Sequence, residues 1–120
     1  MKRKLDVEGL GQVFTPKQVV ELMLGLRKRH GRVLEPSCGD GAFSRHLSGC
    51  VAIELDSRIA PEYALNLDFF AYPLTERFST VIGNPPYVKY QNIGPETKQL
   101  LDGTLFDSRS NLALFFIEKA

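Results

Sequence analysis

Four short apolar runs, each followed by polar or glycine-containing residues, divide the chain. They cover residues 32–35, 51–54, 65–70 and 80–83. Short apolar runs of this kind are typical of strands buried on both faces of a parallel sheet. The stretches between and around them predict helices that open at Phe14–Val19 and cover residues 42–47, 57–64, 95–101 and 111–120. Alternating strands and helices predict an α/β fold with a parallel sheet.

The first helix carries several start signals. Thr15 is a predicted N-cap, Pro16 suits the first helical position, and Gln18 completes a capping box. Gly31 is the predicted end of this helix. The apolar stripe expected to face the core consists of Val19, Leu22, Met23 and Leu26.

A glycine-containing turn follows the first strand. It has the sequence Pro36-Ser37-Cys38-Gly39-Asp40-Gly41 and leads into the predicted helix 42–47. Glycines let a backbone approach a ligand closely, and the first turn of a helix offers N–H groups to it. Two glycines at this spacing also fit an ordinary strand-to-helix turn.

A polar residue that can bind a ligand stands at the carboxyl end of each predicted strand. These residues are Glu35, Glu54, Asp68 and Asn84. In parallel sheets, ligands bind at the carboxyl ends of the strands, where an acid after the second strand commonly takes ribose hydroxyls. Asp56 is an alternative for the ribose role, which we assign to Glu54.

The segment Asn84-Pro85-Pro86-Tyr87 follows the last apolar run. Each proline fixes φ and lacks an N–H group, so the turn is stiff. The Asn84 side-chain oxygen and the Pro85 carbonyl are two acceptors for an –NH₂ group, and Tyr87 offers a platform for a flat ring. A Pro-Pro turn with a packed tyrosine is the alternative interpretation.

Composition restricts the class of protein. The chain has 120 residues, enough for one domain, and its net charge of +1 lacks the strongly basic footprint of a complete DNA-gripping surface. Its two cysteines form neither a disulfide framework nor a metal-binding spacing. With no signal peptide and no membrane span expected, we predict a cytoplasmic protein without a metal.

Together these stretches resemble the amino-terminal half of S-adenosylmethionine-dependent DNA adenine methyltransferases, the Asn-Pro-Pro-Tyr amino-methyltransferases. The similarity runs from Gly11 to Ala120 through six motifs in order. It implies a Rossmann-like parallel sheet of the class I methyltransferase type, with about four of the usual seven strands. Residues 14–120 would form the truncated cofactor-binding and catalytic domain, preceded by a flexible arm at 1–13. The resemblance implies cofactor contacts from Phe14, Thr15, Pro16, Glu35, Pro36, Ser37, Gly39, Gly41, Glu54, Asp68, Phe69 and Asn84.

The resemblance also implies a mechanism and a partner. Asn84 and Pro85 would bind the exocyclic amine of an adenine flipped out of double-stranded DNA, Pro86 would stiffen the turn, and Tyr87 would stack on the base. S-adenosylmethionine would supply the methyl group, as in a restriction-modification system.

The chain ends inside a predicted helix, and residues 80–83 would form an exposed edge of the sheet. We therefore expect a fragment, a truncated gene product or one half of a split enzyme, whose open edge pairs with a second chain or with itself. Two other functions remain open at this stage. One is amino-methylation of a protein glutamine or of RNA, and the other is cofactor binding without catalysis.

Overall fold

A computed structural model describes residues 14–73, 75–102 and 104–120. The arm predicted at residues 1–13 lies outside the described residues. The chain forms two compact units, of which the described parts are residues 14–84 and residues 85–120. We call them the sheet unit and the C-terminal unit.

The sheet unit contains three parallel strands. They are β1 (Val33–Glu35), β2 (Val51–Ala52) and β3 (Thr80–Val81), in the order β2-β1-β3. Leu34 pairs with Val51 on one side and with Val81 on the other, and all three residues of β1 are buried. The prediction of a parallel sheet with a buried first strand is therefore confirmed.

The predicted strand at residues 65–70 is present only as a single bridge. Leu65 pairs in parallel with Ile53, its N–H donates to the Ala52 carbonyl, and its carbonyl accepts from Glu54 N–H. These bonds place Leu65 beyond β2, on the side away from β1. Residues Phe69–Ala71 then form a 3₁₀ turn rather than a strand. The spatial order is thus that of a Rossmann-like sheet, with the third segment reduced to one residue pair.

The first helix, α1, spans Lys17–Gly25. Its N-cap is Pro16, whose ψ of 147° is extended, and no side chain caps the helix. The predicted Thr15 N-cap and Gln18 capping box are therefore wrong, and the helix ends before the predicted Gly31.

The predicted apolar stripe of α1 is wrong at three of its four positions and right at Met23. Val20 is the buried residue, and Met23 and Leu24 pack with it against Val33, Phe43 and Ile82 in the core. By contrast, Val19, Leu22 and Leu26 are exposed. Positions 20, 23 and 24 have helical spacing, so the period and Met23 were predicted correctly, and the buried face is rotated towards Val20 and Leu24.

The predicted helices at 42–47 and 57–64 do not form. Ser44–His46 is a 3₁₀ turn that ends where Leu47 becomes extended, with φ −125° and ψ 118°. Residues 57–64 make separate turns, closed by bonds from Ala60 N–H to Asp56 O and from Ala64 N–H to Pro61 O. Pro61 has no N–H group with which to continue the first of them.

The C-terminal unit contains a 3₁₀ turn at Tyr90–Asn92 and two helices, α2 (Pro95–Lys98) and α3 (Leu112–Lys119). Lys89 and Asn111 form an antiparallel bridge, and Leu112 N–H donates to the Val88 carbonyl. The N-cap of α3 is Asn111, so the helix predicted over residues 111–120 begins one residue later. Phe115 is buried, with the rings of Tyr90 and Phe106 each 6.2 Å from its own.

Within the described ranges, no helix has the length and apolar character needed to span a membrane. Over the same residues, no cluster of histidine, cysteine, aspartate or glutamate is suited to hold a metal ion.

Candidate cofactor site

Pairing in the sheet unit brings the ends of distant strands side by side. A side chain at Gly83, just after β3, would lie 3.7 Å from Glu35 Cγ and 3.8 Å from Pro36 Cδ. The Asn84 side-chain amide donates to Thr15 Oγ1 at 3.4 Å, a long bond between residues 69 positions apart. The turn before α1 therefore meets the first residue of the predicted catalytic segment.

Glu35 ends β1 with a carboxyl group that is only 1% exposed. Its Oε1 accepts a hydrogen bond from Ser44 N–H at 2.9 Å. Burial raises the pKa of Glu35 to about 7, and hydrogen bonds from Ser44 and from the Phe43 backbone oppose that rise. This carboxyl ties the far end of the glycine-containing turn back to the central strand.

Glu54 follows β2 and is 4% exposed. Its Oε1 accepts from Gly39 N–H at 2.8 Å, and its Oε2 accepts from Asp56 N–H at 2.9 Å. Carboxylate oxygens are acceptors of the kind to which a ligand hydroxyl can donate. The alternative ribose residue, Asp56, forms a bidentate ion pair with Arg58 at 2.9 and 2.8 Å.

We call residues 36–43 the cofactor loop. It depends on Gly39 and Gly41, whose φ values of +57° and +93° other residues rarely adopt. The ring of Phe14 lies against Gly39, 3.9 Å from where a Cβ atom would stand. Two of the N–H groups expected to face a ligand instead bind protein carboxylates, since Gly39 donates to Glu54 and Ser44 to Glu35.

Other residues of the loop are packed rather than reactive. Pro36 and Cys38 are buried, and Ser37 is half-buried. Burial raises the pKa of the Cys38 thiol to about 12, with Glu35 and Glu54 adding to the rise. This thiol is therefore protonated at neutral pH and is not a nucleophile.

Asp68 and Phe69 stand at the end of the segment that pairs with β2. Asp68 Oδ1 accepts from Phe70 N–H at 3.0 Å and so caps the 3₁₀ turn. Phe69 and Phe70 are buried, with ring centroids 5.7 Å apart. Asp68 is half-buried and Pro16 is exposed.

The predicted catalytic segment crosses the boundary between the two units. Asn84 belongs to the sheet unit, whereas Pro85, Pro86 and Tyr87 belong to the C-terminal unit. The two prolines are half-buried, and Tyr87 is 58% exposed.

Three residues that shape the site were not assigned a role from the sequence. Asn66 donates from Nδ2 to the carbonyls of Glu54 and Leu55, both at 2.9 Å, and so fixes the backbone after β2. The Tyr63 hydroxyl lies 2.7 Å from Ser44 Oγ. Asn66 stands inside a motif that the sequence had marked, but no local spacing signals the contact between Ser44 and Tyr63.

Comparison with known proteins gives several matches. A family model described as Eco57I restriction-modification methylase matches residues 46–120. The Type II methyltransferase M.TthHB8I of Thermus thermophilus is 37% identical over 133 residues, covering 92% of this chain and 31% of its own length. M.HincII of Haemophilus influenzae, also named a Type II methyltransferase, is 32% identical over 111 residues, covering 85% and 22% respectively. Modification methylase CviBIII of Paramecium bursaria Chlorella virus NC1A is 30% identical over 146 residues, covering 98% and 35%. The chain thus spans about a fifth to a third of the length of these relatives.

Proposed function

Because the chain belongs to the Eco57I restriction-modification methylase family, we propose that it carries the cofactor site and catalytic segment of a site-specific DNA methyltransferase. The observation that carries this proposal is that two buried acids bind backbone N–H groups of the cofactor loop and of the residue after it. Glu54 accepts from Gly39 N–H and Glu35 accepts from Ser44 N–H, and both acids stand at the carboxyl ends of neighbouring parallel strands. Ligand sites of parallel sheets occur at this edge.

The proposed cofactor is S-adenosylmethionine, which supplies an electrophilic methyl group when bound. The chemistry of the donor set suits it. A carboxylate such as Glu54 is the group that binds ribose hydroxyls, and Asp68 is an acceptor type that suits an adenine amine. The ring of Phe14 lies against the loop at Gly39. Backbone contacts would come from the cofactor loop and from the turn before α1. The full proposed set is Phe14, Thr15, Pro16, Glu35, Pro36, Ser37, Gly39, Gly41, Glu54, Asp68, Phe69 and Asn84.

The proposed substrate group is the exocyclic amine of adenine. Its lone pair is delocalised into the ring, which makes the nitrogen a poor nucleophile. The Asn84 side-chain oxygen and the Pro85 carbonyl would each accept one of its hydrogens. These bonds favour a tetrahedral nitrogen and aim its lone pair, so the chain acts by positioning and by preorganised dipoles. Pro86 would keep the turn rigid, and the exposed ring of Tyr87 would stack on the base.

The proposed macromolecular partner is double-stranded DNA from which the target adenine is flipped. Residues 14–120 would act as one catalytic domain, together with a second chain or a second copy at the edge formed by β3. The relatives are several times longer than this chain, so we assign the reading of a DNA sequence to segments other than those described here.

Calorimetric titration with S-adenosylmethionine tests the cofactor assignment. We expect saturable one-to-one binding in the micromolar range. The Asn84→Ala variant should bind within about threefold of wild type, because Asn84 acts mainly on the substrate amine. Asn92→Ala, in the exposed part of the C-terminal unit, is the matched control.

Mass spectrometry of nucleosides and peptides after reaction tests the substrate. In any active assembly, wild-type and Asn92→Ala chains should yield N6-methyladenine in DNA, and Asn84→Ala should yield none. Methylated glutamine or methylated RNA, with the DNA unmodified, would show that the proposed substrate is wrong and would identify the true one. Cofactor binding without any transfer, in every assembly tried, would mark a non-catalytic subunit.

A further inference from the structure

Tyr63 is a surface residue of the sheet unit that reaches towards the buried carboxyl group of Glu35. The residue is 53% exposed, yet its hydroxyl lies 2.7 Å from Ser44 Oγ. It also covers the cofactor loop, because a Cβ atom built on Gly41 would collide with the Tyr63 hydroxyl and would stand 3.5 Å from Pro61 Cγ. Tyr63 thus touches the loop at Gly41 and just after its end at Ser44.

Ser44 passes this contact on to Glu35. Its backbone N–H donates to Glu35 Oε1 at 2.9 Å, and hydrogen bonding from both its backbone and its side chain lowers the pKa of Glu35. A serine hydroxyl has one proton, so when that proton points at Glu35 the Tyr63 hydroxyl must donate to Ser44 Oγ. The three residues therefore form a directed chain in which each hydrogen bond polarises the next.

We propose that Tyr63 is a positioning residue of the cofactor site, which holds the cofactor loop in its binding arrangement through Ser44 and Glu35. The proposal rests on the proposed function, because it takes this loop to be the one that receives S-adenosylmethionine. It assigns the effect to the hydroxyl group rather than to the half-exposed ring, so Tyr63→Phe is the informative variant.

If Tyr63 acts through these hydrogen bonds, its substitution should change the pKa of Glu35 and the pH dependence of cofactor binding. Donation from Ser44 favours the ionised form of Glu35, so loss of the Tyr63 hydroxyl should raise the pKa of Glu35. The other titratable groups that act on this carboxyl are Asp40, Cys38 and Cys50, and none of them is altered by the substitution. The hydrogen bonds from Ser44 and a cationic cofactor both favour ionised Glu35, so affinity should rise as pH increases through its pKa.

The first test measures Glu35 itself in the unliganded 120-residue chain. Carbon-13 NMR of the side-chain carboxyl, followed over about pH 5–9, gives its titration midpoint. Tyr63→Phe should raise the midpoint by roughly 0.2–0.6 pH unit, from a 10–30% cooperative strengthening of a charged hydrogen bond. Ser44→Ala should raise it further, and Tyr63→Phe should add nothing in that background. Tyr72→Phe, which removes a hydroxyl bonded to Glu76 instead, should leave it unchanged.

The second test measures binding of S-adenosylmethionine by calorimetry across the same pH range. Near pH 7, where wild-type Glu35 is about half ionised, Tyr63→Phe should weaken binding by roughly 1.3- to 2.5-fold. The loss should approach roughly 1.6- to fourfold at lower pH, the full ratio that corresponds to that midpoint shift, and it should vanish at high pH. An equal loss at every pH, or an unmoved Glu35 midpoint with intact wild-type binding, would overturn the role of Tyr63 alone. Failure of the wild-type chain to bind would overturn the cofactor site and this role with it.

Discussion

Glu54 accepts hydrogen bonds from two backbone N–H groups, so its substitution should lower stability, which the substitution of a purely ligand-binding residue would not do. We consider Glu54→Gln, which keeps the size of the side chain but replaces one acceptor oxygen with an –NH₂ donor. In the wild-type chain the two carboxylate oxygens accept from Gly39 N–H and Asp56 N–H. After the change, one of these N–H groups faces a donor and the other bonds to a neutral acceptor.

The magnitude follows from those two bonds. A buried donor left without an acceptor costs about 1–3 kcal/mol, and both bonds here are partly buried, which favours the lower half of that range. Loss of charge from the second bond adds to it, so we expect about 2 kcal/mol of lost stability. With a urea m-value of about 1–3 kcal/mol/M, the unfolding midpoint should fall by about 1 M.

Urea unfolding followed by far-ultraviolet circular dichroism measures this effect in a chain that contains no tryptophan. Glu62→Gln is the matched control, because Glu62 is exposed. If Glu54 acted on ribose alone, Glu54→Gln would weaken cofactor binding and leave the unfolding midpoint at the Glu62→Gln value. That result would refute a stabilising role for the hydrogen bonds from Gly39 and Asp56 to Glu54.

Two further predictions concern the same loop. Burial raises the pKa of Glu35 from 4.5 to about 7, so the folded chain holds a proton that the unfolded chain has lost. The free energy of unfolding should therefore fall as pH rises from about 4.5 to 7, by up to about 3 kcal/mol. Glu35→Gln cannot titrate and should lack this slope in urea unfolding, and the same pH dependence in both chains would contradict the prediction. Gly41→Ala should cost about 1–2 kcal/mol because of its φ of +93° and its contact with Tyr63, whereas Gly25→Ala in α1, with open space around it, should cost nothing. Equal unfolding midpoints for the two alanine variants would contradict the conformation of the loop.

The strands could be predicted because their signal is local. Val33–Glu35 is a continuous apolar run that ends in an acid, and each of the three strands was found within its predicted run. Their parallel order followed from the helical and turn segments between them. The reduction of the third run to one bridge at Leu65 could not be foreseen, because it depends on Asp68 capping a 3₁₀ turn at Phe70 N–H.

The helices were predicted less well, and the reasons differ. In α1 the extended ψ of Pro16 moved the start by one residue and removed the role of Thr15 as a cap. After the cofactor loop, the backbone N–H of Ser44 is bound by Glu35, and the following residues make only one 3₁₀ turn. A strand-to-helix pattern alone does not reveal such a competition for N–H groups.

The strand-end positions of the candidate site residues could be predicted from the sequence, but their hydrogen-bond partners could not. Placement of Glu35, Glu54 and Asn84 at strand ends follows from sequence order and parallel pairing. Which donors their side chains accept from depends on contacts between distant segments, such as Tyr63 with Ser44. The ligand roles of these residues remain the predictions stated above.

The position of β1 between its two neighbours has a consequence for biosynthesis. Leu34 pairs with Val51 soon after it in the chain, but Val33 must wait for Thr80, which is 47 positions later. At roughly 5–20 residues per second, the ribosome delivers β3 several seconds after β1. Until then, one edge of a strand that is buried in the finished sheet is open to other chains, and closing such a long loop is slow. Substitutions in residues 36–79 can therefore change the yield of soluble protein by altering this interval, even where they leave the finished sheet untouched.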